Sequence, residues 1–160
     1  MFTTIIITLP DFFPGADGLQ REARLIEEHL RSGRADFIHI RKLGATDEKV
    51  QTLIDEVDEV LRPRLVIHKH HDPRSCHSLQ EVIERKPLYD YVSLSPIFDS
   101  ISKQGYMSHF TPQQLAQAQA DGIIDQKVYA LGGVTFDRLK DVKQMGFGGA
   151  MILGDAWRDR

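Results

Sequence analysis

At 160 residues, with 41% hydrophobic and 27% charged side chains, the chain has the make-up of a soluble globular protein and the length of one domain, residues 1–160. A formal net charge of −3, with basic residues scattered rather than clustered, gives no electropositive footprint for nucleic acid, and the single cysteine, Cys76, cannot form an intrachain disulfide. The apolar start MFTTIIITLPDFF is far shorter than a membrane span and lacks the basic lead of a signal peptide, so a cytoplasmic protein without membrane or nucleic-acid partners is expected.

Along the chain, short apolar runs alternate with amphipathic segments. TTIIITL (3–9) predicts a first strand, and Leu19, Ala23, Ile26 and Leu30 line one face of a helix after it. DFIHI (36–40) predicts a second strand. Val50, Leu53, Ile54, Val57, Val60 and Leu61 then fall at three- and four-residue spacing, which predicts one helix over 46–61, stopped by Pro63. RLVI (64–67) is a third strand. In RSCHSLQEV (74–82) the cysteine stands beside a histidine just before a helix whose capping box is Ser78 with Glu81. YVSL (91–94) follows, then a helix opened by Thr111, Pro112 and Gln114 as N-cap, first-turn proline and capping box. KVYAL (127–131) is a fifth strand; Thr135 starts a helix through Leu139 and Val142 that Gly146 closes; GAMIL (149–153) is a sixth strand.

Strand–helix alternation means parallel pairing, as a doubly wound open sheet or as a β/α barrel. LGGVT (131–135) and FGGAMILGD (147–155) favour the barrel, because glycine turns at the last strand exits expose backbone amides for an anion. Tight turns with no ligand are the other reading of the same glycines. Neither stretch follows the first strand with dinucleotide-binding spacing, so a nicotinamide cofactor is not expected. HKHHD (68–72) would put His68 and His70 on one strand face, but a structural zinc site needs four ligands and no second group with suitable spacing follows. His77 stands at the end of a strand, just before a capping serine, where an imidazole could move a proton near neutral pH. Cys76 should point away from it by strand alternation, which makes the pair a poor nucleophile and base. The plainer reading is an exposed histidine that merely precedes a cap.

The ordered series FIHIRK, RLVIH, SCHSLQE, DYVSLSPIFDSISK, YALGGV and GGAMILGD resembles the thiamine phosphate synthase and thiazole tautomerase (TenI-like) superfamily. That resemblance implies a (β/α)8 TIM-type barrel that binds a thiazole phosphate at the C-terminal ends of its strands. One branch couples an aminopyrimidine diphosphate to the thiazole phosphate with Mg²⁺; the other shifts a double bond to make the thiazole aromatic and uses no metal. After the second strand the synthase pattern of Gln, Arg, Glu, Lys keeps only its arginine here, Arg41. After the third strand its Asn-Asp pair is replaced by His68 and Lys69, and an ammonium repels Mg²⁺ rather than ligating it. SCHS (75–78) is similar to the tautomerase signature in which the histidine transfers the proton, which assigns His77 that role. The resemblance also implies phosphate contacts from Ser100, Ser102 and Lys103 in the polar loop 99–109, and from Gly132, Gly133, Leu153 and Gly154.

Length is the main departure. A barrel of this kind ordinarily takes about 200 residues or more, and the series runs from VIHKHHD straight into PRSCHS, as if about one β/α unit were absent at Asp72-Pro73. Open strand edges left by that loss would be covered by residues outside this chain, by a rearranged strand or by self-association into a homo-oligomer. The expected function is a metal-free, cofactor-free thiazole phosphate tautomerase with His77 as acid/base; the alternatives are a Mg²⁺-dependent thiamine-phosphate synthase and a non-catalytic phosphate-binding barrel.

Overall fold

The computed structural model describes residues 1–98 and 109–158. The chain divides into two compact units. One comprises Thr4–His71 with Trp157–Arg160 and is called here the N-terminal unit; Asp72–Ala156 with Met1–Thr3 forms the C-terminal unit.

In the N-terminal unit three parallel strands, β1 (Thr3–Ile7), β2 (Phe37–Arg41) and β3 (Leu65–His68), pair in the order β3–β2–β1, with Ile6 opposite Ile38 and Arg41 opposite His68. Ile5, Ile6 and Ile7 are all buried, as expected for a parallel strand covered on both faces. Helix α1 (Gly18–Arg31) buries Ala23, Ile26 and Leu30 of the stripe that the sequence predicts, while Leu19 is half-buried. Trp157 is fully buried in this unit; its indole N–H donates to the Ile7 carbonyl at 2.7 Å, and its ring meets those of Phe13 and His29 edge-on.

The helix expected over 46–61 is shorter than its apolar spacing suggests. Helix α2 (Asp47–Asp55) starts at Thr46, whose hydroxyl accepts from the Lys49 N–H, but it ends at Asp55. Asp58 then caps a separate 3₁₀ segment, Glu59–Arg64, which contains Pro63 rather than stopping at it. A new turn begins because the Asp58 carboxylate accepts the Val60 N–H, which changes the helical phase: Val57 and Leu61 stay buried while Val60 is exposed.

The C-terminal unit pairs four more parallel strands, β4 (Ser75–Cys76), β5 (Val92–Leu94), β6 (Val128–Ala130) and β7 (Gly149–Ile152), in that order. The six strands read from the sequence are all present, one or two residues shorter or shifted. The seventh, β4, has only two residues, too few to show a period. Ser78 caps helix α3 (Leu79–Arg85) by accepting the Glu81 N–H, yet the returning arm of the box reaches one residue further back: Glu81 accepts from the His77 N–H at 3.1 Å. Helix α4 (Pro112–Ala120) has the full reciprocal box of Thr111 and Gln114. The segment after Thr135 opens as a 3₁₀ turn, Phe136–Arg138, before helix α5 (Leu139–Gln144), and Thr135 makes no side-chain cap there.

Residues 69–74 join β3 to β4 without a helix. Neighbouring parallel strands need a crossover of about a dozen residues or more, so this link cannot be a β–α–β crossover. The boundary between the two units falls between His71 and Asp72, next to the Asp72-Pro73 junction marked by the sequence. No helix among the described residues is long and apolar enough to cross a membrane.

Candidate functional site

The C-terminal unit gathers polar and glycine residues just past the ends of its strands. Cys76, the last residue of β4, is fully buried, and burial pushes its thiol above the ordinary cysteine range. A buried, protonated thiol is a poor nucleophile. His77, the next residue, is exposed, and its Nδ1 lies 3.3 Å from the hydroxyl of Ser95, a buried serine one residue past β5. The opposite facing of Cys76 and His77 follows from strand alternation.

Past β6 the chain turns through Gly132 and Gly133, with φ of +95° and +66°. Only glycine holds such values cheaply, and at Gly132 a Cβ would stand 2.7 Å from the Pro96 Cα. The turn is fixed through its carbonyls: Gly132 accepts from the Phe98 N–H and Gly133 from the Arg138 guanidinium, at 3.0 and 2.9 Å. Arg138 also lies over the Phe98 ring, 4.6 Å from its centroid, so a cation is held against the glycine turn. Past β7, Leu153 is half-buried and Gly154 opens a 3₁₀ segment, Gly154–Trp157, instead of an extended loop. Asp155 in that segment accepts the Phe136 N–H at 2.9 Å, so one amide after the glycine turn is already taken by a carboxylate.

His77, Gly132, Gly133, Leu153 and Gly154 thus all follow strand ends of one unit. Ser100, Ser102 and Lys103 lie outside the described residues. Arg41 ends β2 in the N-terminal unit, exposed, with its backbone N–H donating to the buried Thr8 hydroxyl at 2.9 Å. The sequence reading missed Ser95, Arg138 and Asp155, whose partners in this site are 18, 5 and 19 residues away.

Strand ends in the N-terminal unit carry different chemistry. Lys42, one residue past Arg41, is buried with Glu22 at 2.7 Å and also donates to the Leu9 and Asp11 carbonyls. Burial holds its ammonium below the ordinary lysine range, against the pull of Glu22. A cleft of about 410 Å³ beside it is lined by residues including Leu43, Val50, Ile67, His68, Lys69 and His70. Lys69 forms an exposed ion pair with Asp47 at 3.2 Å. His68 lies tilted against the His39 ring, 4.3 Å between centroids, and β3 ends there, so His70 lies past the strand rather than on one face with His68. Among the described residues no three His, Cys, Asp or Glu side chains come together as a metal-holding group. After β3 the first side chains met are an imidazole and an ammonium, and the Asp47 carboxylate faces that ammonium, a donor set that does not suit Mg²⁺.

A family model described as Thiamine monophosphate synthase matches residues 73–154. Thiamine-phosphate synthase of Latilactobacillus sakei is 32% identical over 97 residues, covering 57% of this chain and 42% of its own length. Thiamine-phosphate synthase of Salinibacter ruber is 31% identical over 132 residues, covering 81% of this chain and 52% of its own. The chain therefore spans about half the length of these curated relatives. Among solved structures, thiamine phosphate pyrophosphorylase from Bacteroides thetaiotaomicron has a TM-score of 0.78 at 33% identity, covering 99% of this chain and 86% of that one. Thiamine phosphate pyrophosphorylase from Pyrococcus furiosus has a TM-score of 0.67 at 16% identity, covering 95% and 85%, which is a likeness of fold.

Proposed function

Because the chain belongs to the thiamine monophosphate synthase family, we propose that it acts in thiamin biosynthesis on a thiazole phosphate, as a metal-free tautomerase with His77 as its acid/base. The observation that carries this reading is the setting of His77. It is exposed at a strand end with Nδ1 directed to Ser95, so Nε2 is the nitrogen that would address a substrate. In the reaction proposed, Nε2 takes the proton from the thiazole ring carbon, the double bond shifts, and the imidazolium returns the proton to the exocyclic carbon. No other atom is gained or lost. The substrate phosphate is assigned to the glycine turn of Gly132 and Gly133 and to Gly154 and Leu153, with Arg138 adding positive charge. Ser100, Ser102, Lys103 and Arg41 are further proposed phosphate contacts.

A second reading, Mg²⁺-dependent synthesis of thiamine phosphate, is favoured by the names of the relatives. Against it stands the donor set after β3, where Lys69 pairs with Asp47 in the place of the expected carboxylate, and no step is assigned to Mg²⁺ here. Turnover of the non-aromatic thiazole phosphate, followed by ultraviolet absorbance with and without a chelator, separates the two. The proposal expects turnover that is indifferent to chelation and no coupling to an aminopyrimidine diphosphate. Coupling that requires added Mg²⁺ would replace it with the synthase, and phosphate binding without turnover in either assay would leave a binding protein.

A further inference from the structure

We propose that Ser95 is the positioning residue of His77: its hydroxyl accepts the Nδ1–H and so holds the ring with the Nε2 lone pair presented to substrate. The proposal rests on the acid/base reading of His77. Strands β4 and β5 run parallel with Cys76 opposite Leu94, and the Ser95 N–H donates to the Cys76 carbonyl at 3.0 Å. That bond brings out the next residues, His77 and Ser95, side by side. Ser95 is only 6% exposed, so its hydroxyl has little water to turn to, and Nδ1 is 3.3 Å away.

The His77 backbone is held from its other side. Its N–H donates to Glu81, Glu81 is paired with Arg85 at 2.8 Å, and Arg85 donates to the Ser75 carbonyl at 2.9 Å. With the main chain fixed from both strand and helix, the remaining freedom is rotation of the imidazole, and Ser95 is placed to remove it. The chemistry suits a hydroxyl. In the base form Nδ1–H donates to Oγ while Nε2 takes the proton; in the imidazolium the same Nδ1–H bond persists while Nε2 gives the proton back. A carboxylate at that position would stabilise the imidazolium and oppose the return step.

The test pairs steady-state kinetics with nitrogen-15 NMR of the His77 ring, assigned by the signal lost in His77→Gln. Ser95→Ala is expected to lower kcat on the order of 10-fold, part of the roughly 10²- to 10⁴-fold worth of a positioned acid/base, with KM changed less than about twofold. In the same variant the ring nitrogens should move from an Nδ1–H pattern toward that of free histidine. If His77→Gln abolishes turnover but Ser95→Ala leaves the nitrogen shifts unchanged, the positioning role is overturned whatever kcat does, and the reading of His77 stands. If His77→Gln keeps full turnover, the acid/base reading falls, and the nitrogen shifts still decide whether Ser95 holds the ring.

Discussion

In the N-terminal unit the residue just past β2, Lys42, turns inward and is buried against Glu22; in the C-terminal unit the residue just past β4, His77, stays exposed beside a buried serine. Both occupy the strand end at which parallel α/β folds place function. What separates them is where the side chain's hydrogen bonds are completed. Lys42 hydrogen-bonds the Leu9 and Asp11 carbonyls and is ion-paired with Glu22, so it serves the fold. His77 is bound through one ring nitrogen only among the described contacts, which suits proton transfer. The chemistry of a strand-end residue is therefore read from its partners, not from its place.

Changes at Lys42 should accordingly disturb stability, and this is the largest effect expected. Lys42→Ala leaves the Glu22 carboxylate buried without its cation and should cost about 3–5 kcal/mol in urea unfolding. A cost under about 1 kcal/mol would mean that the pair is no more than a surface-like contact and would weaken the contrast. Next comes Gly132→Val, which forces a β-branched residue to a φ of +95° and drives Cβ against the Pro96 backbone. The backbone term alone is about 1–3 kcal/mol, and binding of inorganic phosphate measured by calorimetry should weaken as well. Unchanged stability with unchanged binding would remove the glycine turn from the site.

The smallest effect belongs to Asp125 at the approach to β6. Partial burial works against its ionisation, but the Lys86 ammonium and the Lys127 N–H outweigh this and hold its carboxyl below 3.8. A depressed carboxyl pKa stabilises the fold above its ordinary value, and that contribution is lost as pH falls through 3.8 toward the folded-state value. Asp125→Asn should therefore cost under about 1 kcal/mol near pH 7, with the difference from the parent protein shrinking below pH 4, as followed by urea titrations across that range.

Local signals carried much of the fold. The alternation of strands and helices, the buried run Ile5–Ile7 and the Thr111–Gln114 box are set within a few residues and were legible as sequence. The unit boundary at His71–Asp72 adjoins the Asp72-Pro73 junction, where the sequence runs from VIHKHHD straight into PRSCHS. The end of α2 at Asp55 was not legible, since apolar spacing continues to Leu61 while Asp58 restarts the turn and leaves Val60 in solvent. The place of His77 at a strand end and the glycine turn after β6 were legible from motif and chain position. Ser95 was not, because its meaning depends on a neighbour 18 residues away across two strands, and neither was the burial of Lys42, because its partner Glu22 lies on a helix earlier in the chain.

The central claim is that His77, and not Cys76, moves the proton, and it is tested most directly by turnover of the thiazole phosphate tautomer with His77→Gln and Cys76→Ala assayed side by side in chelator. The account predicts that His77→Gln lowers turnover by roughly 10²- to 10⁴-fold while phosphate affinity stays near the parent value, and that Cys76→Ala keeps most of the rate. Full turnover by His77→Gln, with loss of turnover in a folded Cys76→Ala, would contradict it.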